Sequence, residues 1–203
     1  MGATEDAASR HPAPYRGMVV RSETGSRNVM CGRMDDRAIV ARQLGRSPRA
    51  FRRVVVRCPY GLPAVTEQEP YDRSGEPFPT TYYLTCPHLV AAVSRIEAAG
   101  GVERWSTLAR EDAALASSLE EATAEQRRIR RELAGPRRGR DGGASLDLGI
   151  AGSHSLRHLK CLHAHVAFAL ARPGYALGER ILGQIESPWP AAECCSEELR
   201  DPH

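Results

Sequence analysis

The chain has 203 residues, 41% apolar side chains and a formal net charge of +3, a composition typical of a globular protein with a sizeable core. So small a charge gives no argument for nucleic-acid binding, and no run of about 18 apolar residues predicts a membrane span. Residues 1–17 contain no apolar stretch of a secretory signal. We therefore expect a cytoplasmic protein whose six cysteines serve metal binding, reactivity or burial rather than disulfides.

The first half of the domain is predicted to supply short strands. Residues 1–33 lack periodicity, which predicts a disordered tail before a single domain over 34–186. A short helix is expected from Asp35 or Asp36 to the break at Gly45. β-branched and aromatic content predicts strands over 52–57 and 80–85, with a short strand over 63–67 between them.

The second half is predicted to be helical. A helix is expected to begin at Pro87 and to end at Gly100. Further helices are expected over 103–133, 153–171 and 177–185, with a flexible Gly/Arg-rich linker over 135–152 and a disordered tail over 187–203. Strands followed by helices, without βαβ alternation, favour an α+β fold: a small sheet of short strands packed by several helices, one of them long.

The helix over 103–133 carries a seam of residues spaced alternately four and three apart. Two interpretations remain open: the seam packs on its own domain, or it binds a protein partner. The seam consists of Leu115, Leu119, Ala122, Gln126, Ile129 and Leu133.

Residues 154–165 are the segment in which chemistry is most strongly indicated. They hold four of the seven histidines, one cysteine and Lys160, the one lysine of the chain. On a continuous helix, Cys161 and His165 lie four residues apart on one face, a spacing at which two side chains can bind one metal ion. His163 would then lie on another face. If the helix instead begins near Lys160, Cys161 and His163 could reach the same ion.

Cys58 and Cys86 are the candidates for the remaining ligands. Each follows a predicted strand and precedes a proline, so both are expected at one end of one sheet. Zinc takes four ligands in structural sites, or three and a water molecule in catalytic sites. A zinc site built from Cys58, Cys86, Cys161 and either His163 or His165 is therefore predicted, with a structural or a hydrolytic role.

Two other chemical interpretations of the same segment remain open. Cys161 and His165 could act without a metal, as nucleophile and base of an enzyme. The Gly-rich approach to the predicted helix also gives a weak anion site, although it lacks the spacing of a phosphate-binding loop. The residues of that site are Gly152, Ser153, Arg157 and Lys160.

Three segments together resemble an actinobacterial family known as domain of unknown function 501. They are RCPYGLPAV (57–65), PFPTTYYLTCP (77–87) and KCLHAH (160–165), and the resemblance extends over about residues 35–185. It implies no activity. It supports Cys58, Cys86, Cys161 and His163 as motif positions, and gene neighbourhoods in the family suggest a link to cell division, the envelope or phosphate metabolism.

Two departures from the family bear on the predicted ligands. Some members carry a cysteine where this chain has Tyr60, and some lack a histidine at the position of His165. The first departure leaves Cys58 without a neighbouring cysteine ligand. The second favours His163 as the ligand, whereas the helical spacing favours His165, so both histidines remain candidates.

Overall fold

The computed structural model describes residues 20–21, 35–155 and 158–189. The strands form one antiparallel sheet in sequence order, and the helices follow almost entirely after it, which confirms the α+β fold. The strands are β1 (Val20–Arg21), β2 (Phe51–Arg57), β3 (Pro63–Gln68) and β4 (Tyr82–Leu84). The helices are α1 (Asp36–Leu44), α2 (Pro87–Ala98), α3 (Gly101–Glu111), α4 (Ala113–Ala134), α5 (Leu162–Ala171) and α6 (Ala176–Leu182).

Helix α5 is the centre of the hydrophobic core. It contacts β2, β3 and β4 of the sheet as well as α2 and α6. A helix enclosed by other elements is expected to carry apolar side chains nearly all the way round, and α5 does. The Phe168 ring packs edge-on against Tyr82 of β4 and against Tyr175, with centroids 5.5 and 5.7 Å apart. These contacts hold α5 between the sheet and the residue that precedes α6.

The long helix predicted over 103–133 is two helices, α3 and α4. The break lies at Asp112, whose Oδ1 accepts hydrogen bonds from the backbone N–H groups of Ala114 (2.9 Å) and Leu115 (3.2 Å). A carboxylate in this position satisfies the free donors of a helix N-terminus and starts a new helix.

The seam of α4 packs inside its own domain. Leu115, Leu119 and Ile129 are at most 5% exposed, and α4 contacts α3 and α6. The first interpretation of the seam therefore holds, and the spacing gives no support for a partner-binding helix over 103–133.

The predicted flexible linker over 135–152 has a defined structure. It contains two 3-10 helices, Ala144–Asp147 and Ile150–Gly152. The fully buried Arg130 of α4 donates hydrogen bonds to the carbonyls of Ser145 (3.3 Å) and Phe78 (2.8 Å). Composition suggested a linker because it does not reveal such long-range backbone contacts.

Two boundaries in the C-terminal region differ from the prediction: the start of the helix expected over 153–171 and the start of the tail expected over 187–203. The helix expected from residue 153 begins only at Leu162. The disordered tail expected from residue 187 does not include Trp189, which is 4% exposed and belongs to the core. The predicted disorder of residues 190–203, and nearly all of the predicted disorder of 1–33, falls outside the described residues.

Gly178 marks the closest approach of α6 to α5. A Cβ atom added there would lie 2.7 Å from the His165 carbonyl oxygen and 2.8 Å from Cβ of Ala169. We expect Gly178→Ala to lower the free energy of unfolding by about 1–3 kcal/mol through overpacking. Gly183→Ala is the control, because its Cβ would meet its nearest neighbour at 3.4 Å. Denaturant unfolding of both variants measures the difference, and equal stabilities would contradict this packing.

Candidate metal centre

Three side chains converge at the N-terminus of α5: one from α2, one from the residue just before α5 and one from α5 itself. Glu97, Cys161 and His163 each offer a ligand atom, and these atoms lie within 4.8 Å of one another. His163 Nδ1 is 3.2 Å from Glu97 Oε1 and 3.6 Å from Cys161 Sγ. Across the described residues, no other group of three His, Cys, Asp or Glu side chains meets the same distance limit.

The start of α5 explains how Cys161 and His163 come together. Cys161 precedes the helix with extended backbone angles (φ −162°, ψ 123°). On a continuous helix, residues two apart point in different directions. The extended residue changes that direction, so Cys161 Sγ lies beside the His163 ring. This is the arrangement that a helix beginning near Lys160 allows.

Contacts to other helices stop α5 from extending toward residue 153. The backbone N–H of Leu159 donates to Ser106 Oγ of α3 (2.9 Å). The N–H of Leu162 donates to Glu97 Oε1 of α2 (2.6 Å). Because these N–H groups bond to neighbouring helices, they do not bond to carbonyls of a preceding turn.

Glu97 joins the centre from the last turn of α2. Its carboxylate accepts the Leu162 N–H and also faces the His163 ring, so it caps α5 and contributes charge to the cluster. Sequence analysis missed this residue. The one available signal was that Glu97 is the only acidic residue of α2, and nothing in its spacing relates it to Cys161.

The second ring nitrogen of His163 faces α2. Nε2 lies 3.2 Å from the Val90 carbonyl oxygen and 3.2 Å from Ser94 Oγ. A carbonyl oxygen can only accept, so it favours the tautomer with hydrogen on Nε2. The Glu97 carboxylate beside Nδ1 also only accepts, so it favours a hydrogen on Nδ1 and hence a protonated ring. If the ring is neutral with its hydrogen on Nε2, the lone pair of Nδ1 faces Glu97 and Cys161.

The electrostatics of the cluster favour a positive charge on His163. Partial burial opposes protonation, but the hydrogen bond and charge of Cys161, the charge of Glu97 and the Val90 carbonyl outweigh it. Together they raise the pKa of His163 to about 9. The charges of the cluster therefore favour a bound cation, and in the absence of a metal ion that cation is the proton on His163.

Cys58 and Cys86 lie in the hydrophobic core and are not part of this cluster. Both are 0% exposed and pack within the same apolar cluster as α5. Their backbone N–H groups bond to carbonyls at the start of β3, Cys58 to Leu62 just before the strand and Cys86 to Ala64 within it. The backbones of the two residues therefore both bond to the start of β3, a position that the Cys-Pro motifs alone did not reveal.

His165 also lies apart from Cys161. Its side chain is buried, and Nδ1 is 2.6 Å from the Tyr175 hydroxyl. The imidazole beside Cys161 belongs instead to His163, so the spacing of four residues did not identify the neighbouring histidine. Burial lowers the pKa of His165 to about 3.

His165 is expected to make the fold sensitive to acid. The ring stays neutral in the folded protein, whereas the unfolded chain binds a proton below about pH 6.5. Its contribution is therefore fully present above pH 6.5 and falls by roughly 1.4 kcal/mol per pH unit between 6.5 and the folded pKa of about 3. His165→Gln should flatten this part of the stability curve, measured by urea unfolding from pH 8 to about 4. An unchanged slope would contradict a neutral buried His165.

The predicted anion site is not formed as expected. The N–H of Gly152 bonds to the Gly149 carbonyl and that of Ser153 to the Ile150 carbonyl, so neither is available to an anion. The site also lacks the helix N-terminus it required, since α5 begins only at Leu162. Lys160 is exposed, and Arg157 lies outside the described residues.

The fold and the cluster define an α+β protein with a Glu/Cys/His group at a helix N-terminus. The chain belongs to the family described as a protein of unknown function, DUF501, which matches residues 54–183. No curated protein and no solved structure gives a significant match. The family match includes all three residues of the cluster. Within the described residues, no helix combines the length and the apolar character required to cross a membrane.

Proposed function

We propose that the protein binds zinc through Glu97, Cys161 and His163, with a fourth coordination position open to water. The observation that supports this most directly is the spacing of the ligand atoms. In a tetrahedral zinc site, bond lengths near 2.3 Å to sulfur and 2.0–2.1 Å to nitrogen or oxygen separate sulfur from nitrogen by about 3.5 Å and nitrogen from oxygen by about 3.3 Å. The corresponding distances here are 3.6 Å and 3.2 Å.

The hydrogen-bond partners of His163 support a role as a zinc ligand. Metal-binding histidines commonly donate the hydrogen of the second ring nitrogen to a carbonyl or carboxylate, which fixes the ring. The Val90 carbonyl, 3.2 Å from Nε2, supplies that acceptor. His163 then binds through Nδ1, and α2 contributes both a ligand and the group that orients another ligand.

The charges of the three ligands suit a divalent cation. A carboxylate and a thiolate supply two negative charges, which balance Zn²⁺ when His163 is neutral. The same charges raise the pKa of His163 to about 9, so zinc must displace a proton from this ring. Zinc affinity is therefore expected to rise with pH until His163 is neutral.

A site with three protein ligands is of the catalytic type. The side chains of His163 and Glu97 are 22% and 26% exposed, so water can reach the fourth position. Zinc lowers the pKa of a bound water molecule and makes hydroxide available near neutral pH. Hydrolysis is therefore the reaction class that this coordination supports.

Metal content of the purified protein tests the proposal. We expect one zinc ion per chain and, after replacement with Co²⁺, an absorption band from sulfur-to-cobalt charge transfer. Cys161→Ser should abolish the band. His158→Asn is the control, because His158 Nδ1 lies 3.8 Å from Glu103 Oε2 in a second, exposed His/Glu pair outside the three-residue group. A folded protein that binds neither metal would overturn the proposal.

A metal-free thiolate–imidazolium pair is the second candidate. It is favoured by the 3.6 Å contact of Cys161 Sγ with His163 Nδ1 at a helix N-terminus. However, Glu97 shares Nδ1 with the thiol, whereas in a nucleophile–base–acid triad the carboxylate orients the other ring nitrogen. Alkylation of Cys161 in the metal-free protein, no faster than alkylation of a model thiol, would exclude this candidate.

A further inference from the structure

On the basis of the proposed zinc site, we infer that hydroperoxides release its metal by oxidising Cys161. The geometry that points to this regulation is that the site has only three protein ligands, Glu97, Cys161 and His163, and that one of them is a sulfur. If that sulfur no longer binds, Glu97 and His163 remain as two ligands, fewer than the three of a catalytic zinc site. A single oxidation thus determines whether the metal is held.

Accessibility distinguishes Cys161 from the other described cysteines. Cys58 and Cys86 are 0% exposed inside the core, whereas Cys161 is partly exposed. Among the cysteines that the structure describes, Cys161 is therefore the one that a small oxidant in solution can reach.

The oxidation step balances with a hydroperoxide as the only co-reactant. The Cys161 thiolate attacks one peroxide oxygen, a sulfur–oxygen bond forms, and the oxygen–oxygen bond breaks. Sulfur loses two electrons and the peroxide gains them. The product is a sulfenic acid, and the departing hydroxide or alkoxide takes a proton from solvent. A neutral sulfenic acid lacks the thiolate charge that binds zinc.

The modification is expected to be reversible by small thiols. A low-molecular-weight thiol condenses with the sulfenic acid, which gives a mixed disulfide and water. A second thiol molecule then restores Cys161 and leaves as the disulfide. Cys58 and Cys86 are enclosed in the core, so we expect neither to form a disulfide with Cys161 while the fold persists.

The test uses the full zinc-loaded chain with three cysteines outside the described residues replaced by serine: Cys31→Ser, Cys194→Ser and Cys195→Ser. Hydrogen peroxide is added in the presence of a chromogenic zinc chelator. We expect zinc release stoichiometric with oxidation of Cys161, measured by mass spectrometry after sulfenic-acid trapping. Circular dichroism should show an unchanged fold, and dithiothreitol with added zinc should restore binding.

Cys161→Asp in the same background is the matched variant, since a carboxylate keeps a ligand but cannot be oxidised in this way. We expect it to retain zinc in peroxide. If Cys161→Asp does not bind zinc, the inference is tested in the parent protein alone, by comparing zinc release with the oxidation of Cys161 measured by mass spectrometry. Zinc release without Cys161 oxidation, or Cys161 oxidation without release, would overturn the inference while leaving the zinc site intact. A parent protein that never binds zinc would instead overturn the proposed function and this inference together.

Discussion

Glu97→Gln and Cys161→Ser are expected to weaken zinc binding by more than the ~10–100-fold that loss of an outer-shell partner costs. Each substitution removes a charged ligand and leaves two good ligands. In the first variant, the side-chain amide oxygen of the new glutamine can still accept the Leu162 N–H that Glu97 Oε1 accepts at 2.6 Å, so the N-terminus of α5 is preserved. The loss of affinity is therefore separable from a loss of structure.

Competition with a zinc-binding dye measures these affinities, and thermal unfolding of the metal-free variants measures stability. Glu103→Gln is the control, because Glu103 faces His158 at 3.8 Å and is exposed. We expect its affinity to equal that of the parent protein. If Glu97→Gln binds zinc as tightly as Glu103→Gln does, Glu97 is only a helix cap and the proposed centre is wrong.

Leu119→Ala is expected to lower the free energy of unfolding by about 2–5 kcal/mol, the range for truncation of a buried leucine. Leu119 is 4% exposed at the centre of the α4 seam, and its removal leaves a cavity between α4 and the helices packed on it. A partner-binding seam would give a different result, since truncation of a surface residue changes stability little.

Leu108→Ala in the adjacent helix α3 is the matched control. Leu108 is 38% exposed, so its truncation should change stability by less than about 0.5 kcal/mol. Urea unfolding, with the slope of the transition compared between variants, measures both effects. Equal stabilities of the two variants would show that the seam is not core and would revive a role for α4 in binding a partner.

The candidate site could be predicted from sequence only in part. The density of histidine and cysteine over 154–165 directed attention to the segment that contributes Cys161 and His163 to the cluster, and the option of a helix starting near Lys160 paired these two residues. The choice between His163 and His165 depended on where α5 begins. That point is set by Leu162 donating to Glu97, a contact across 65 residues that helical spacing does not contain.

Strands β2 to β4 and helix α2 were predicted more closely than the helices that follow, whereas β1 lies in the segment predicted to be disordered. β2 and β3 are local patterns of β-branched residues, and α2 begins at Pro87 as expected. Local signals are sufficient there because each element is bounded by a nearby proline or glycine. The break at Asp112 depends on a side chain bonding to the backbone that follows it, and the ordered segment over 135–152 depends on hydrogen bonds to other parts of the fold.

By itself, the sequence determined that this protein has an α+β fold and that the chain resembles the family to which it belongs. It also predicted that residues 154–165 are the segment in which a functional site is most strongly indicated. Only the tertiary structure decided that Glu97 joins Cys161 and His163 while Cys58 and Cys86 pack in the core. The physical reason is that residue type and periodicity report the local backbone and burial. The side chains of Glu97, Cys161 and His163 converge through the packing of α2 against α5, which brings distant residues of the chain within hydrogen-bonding distance.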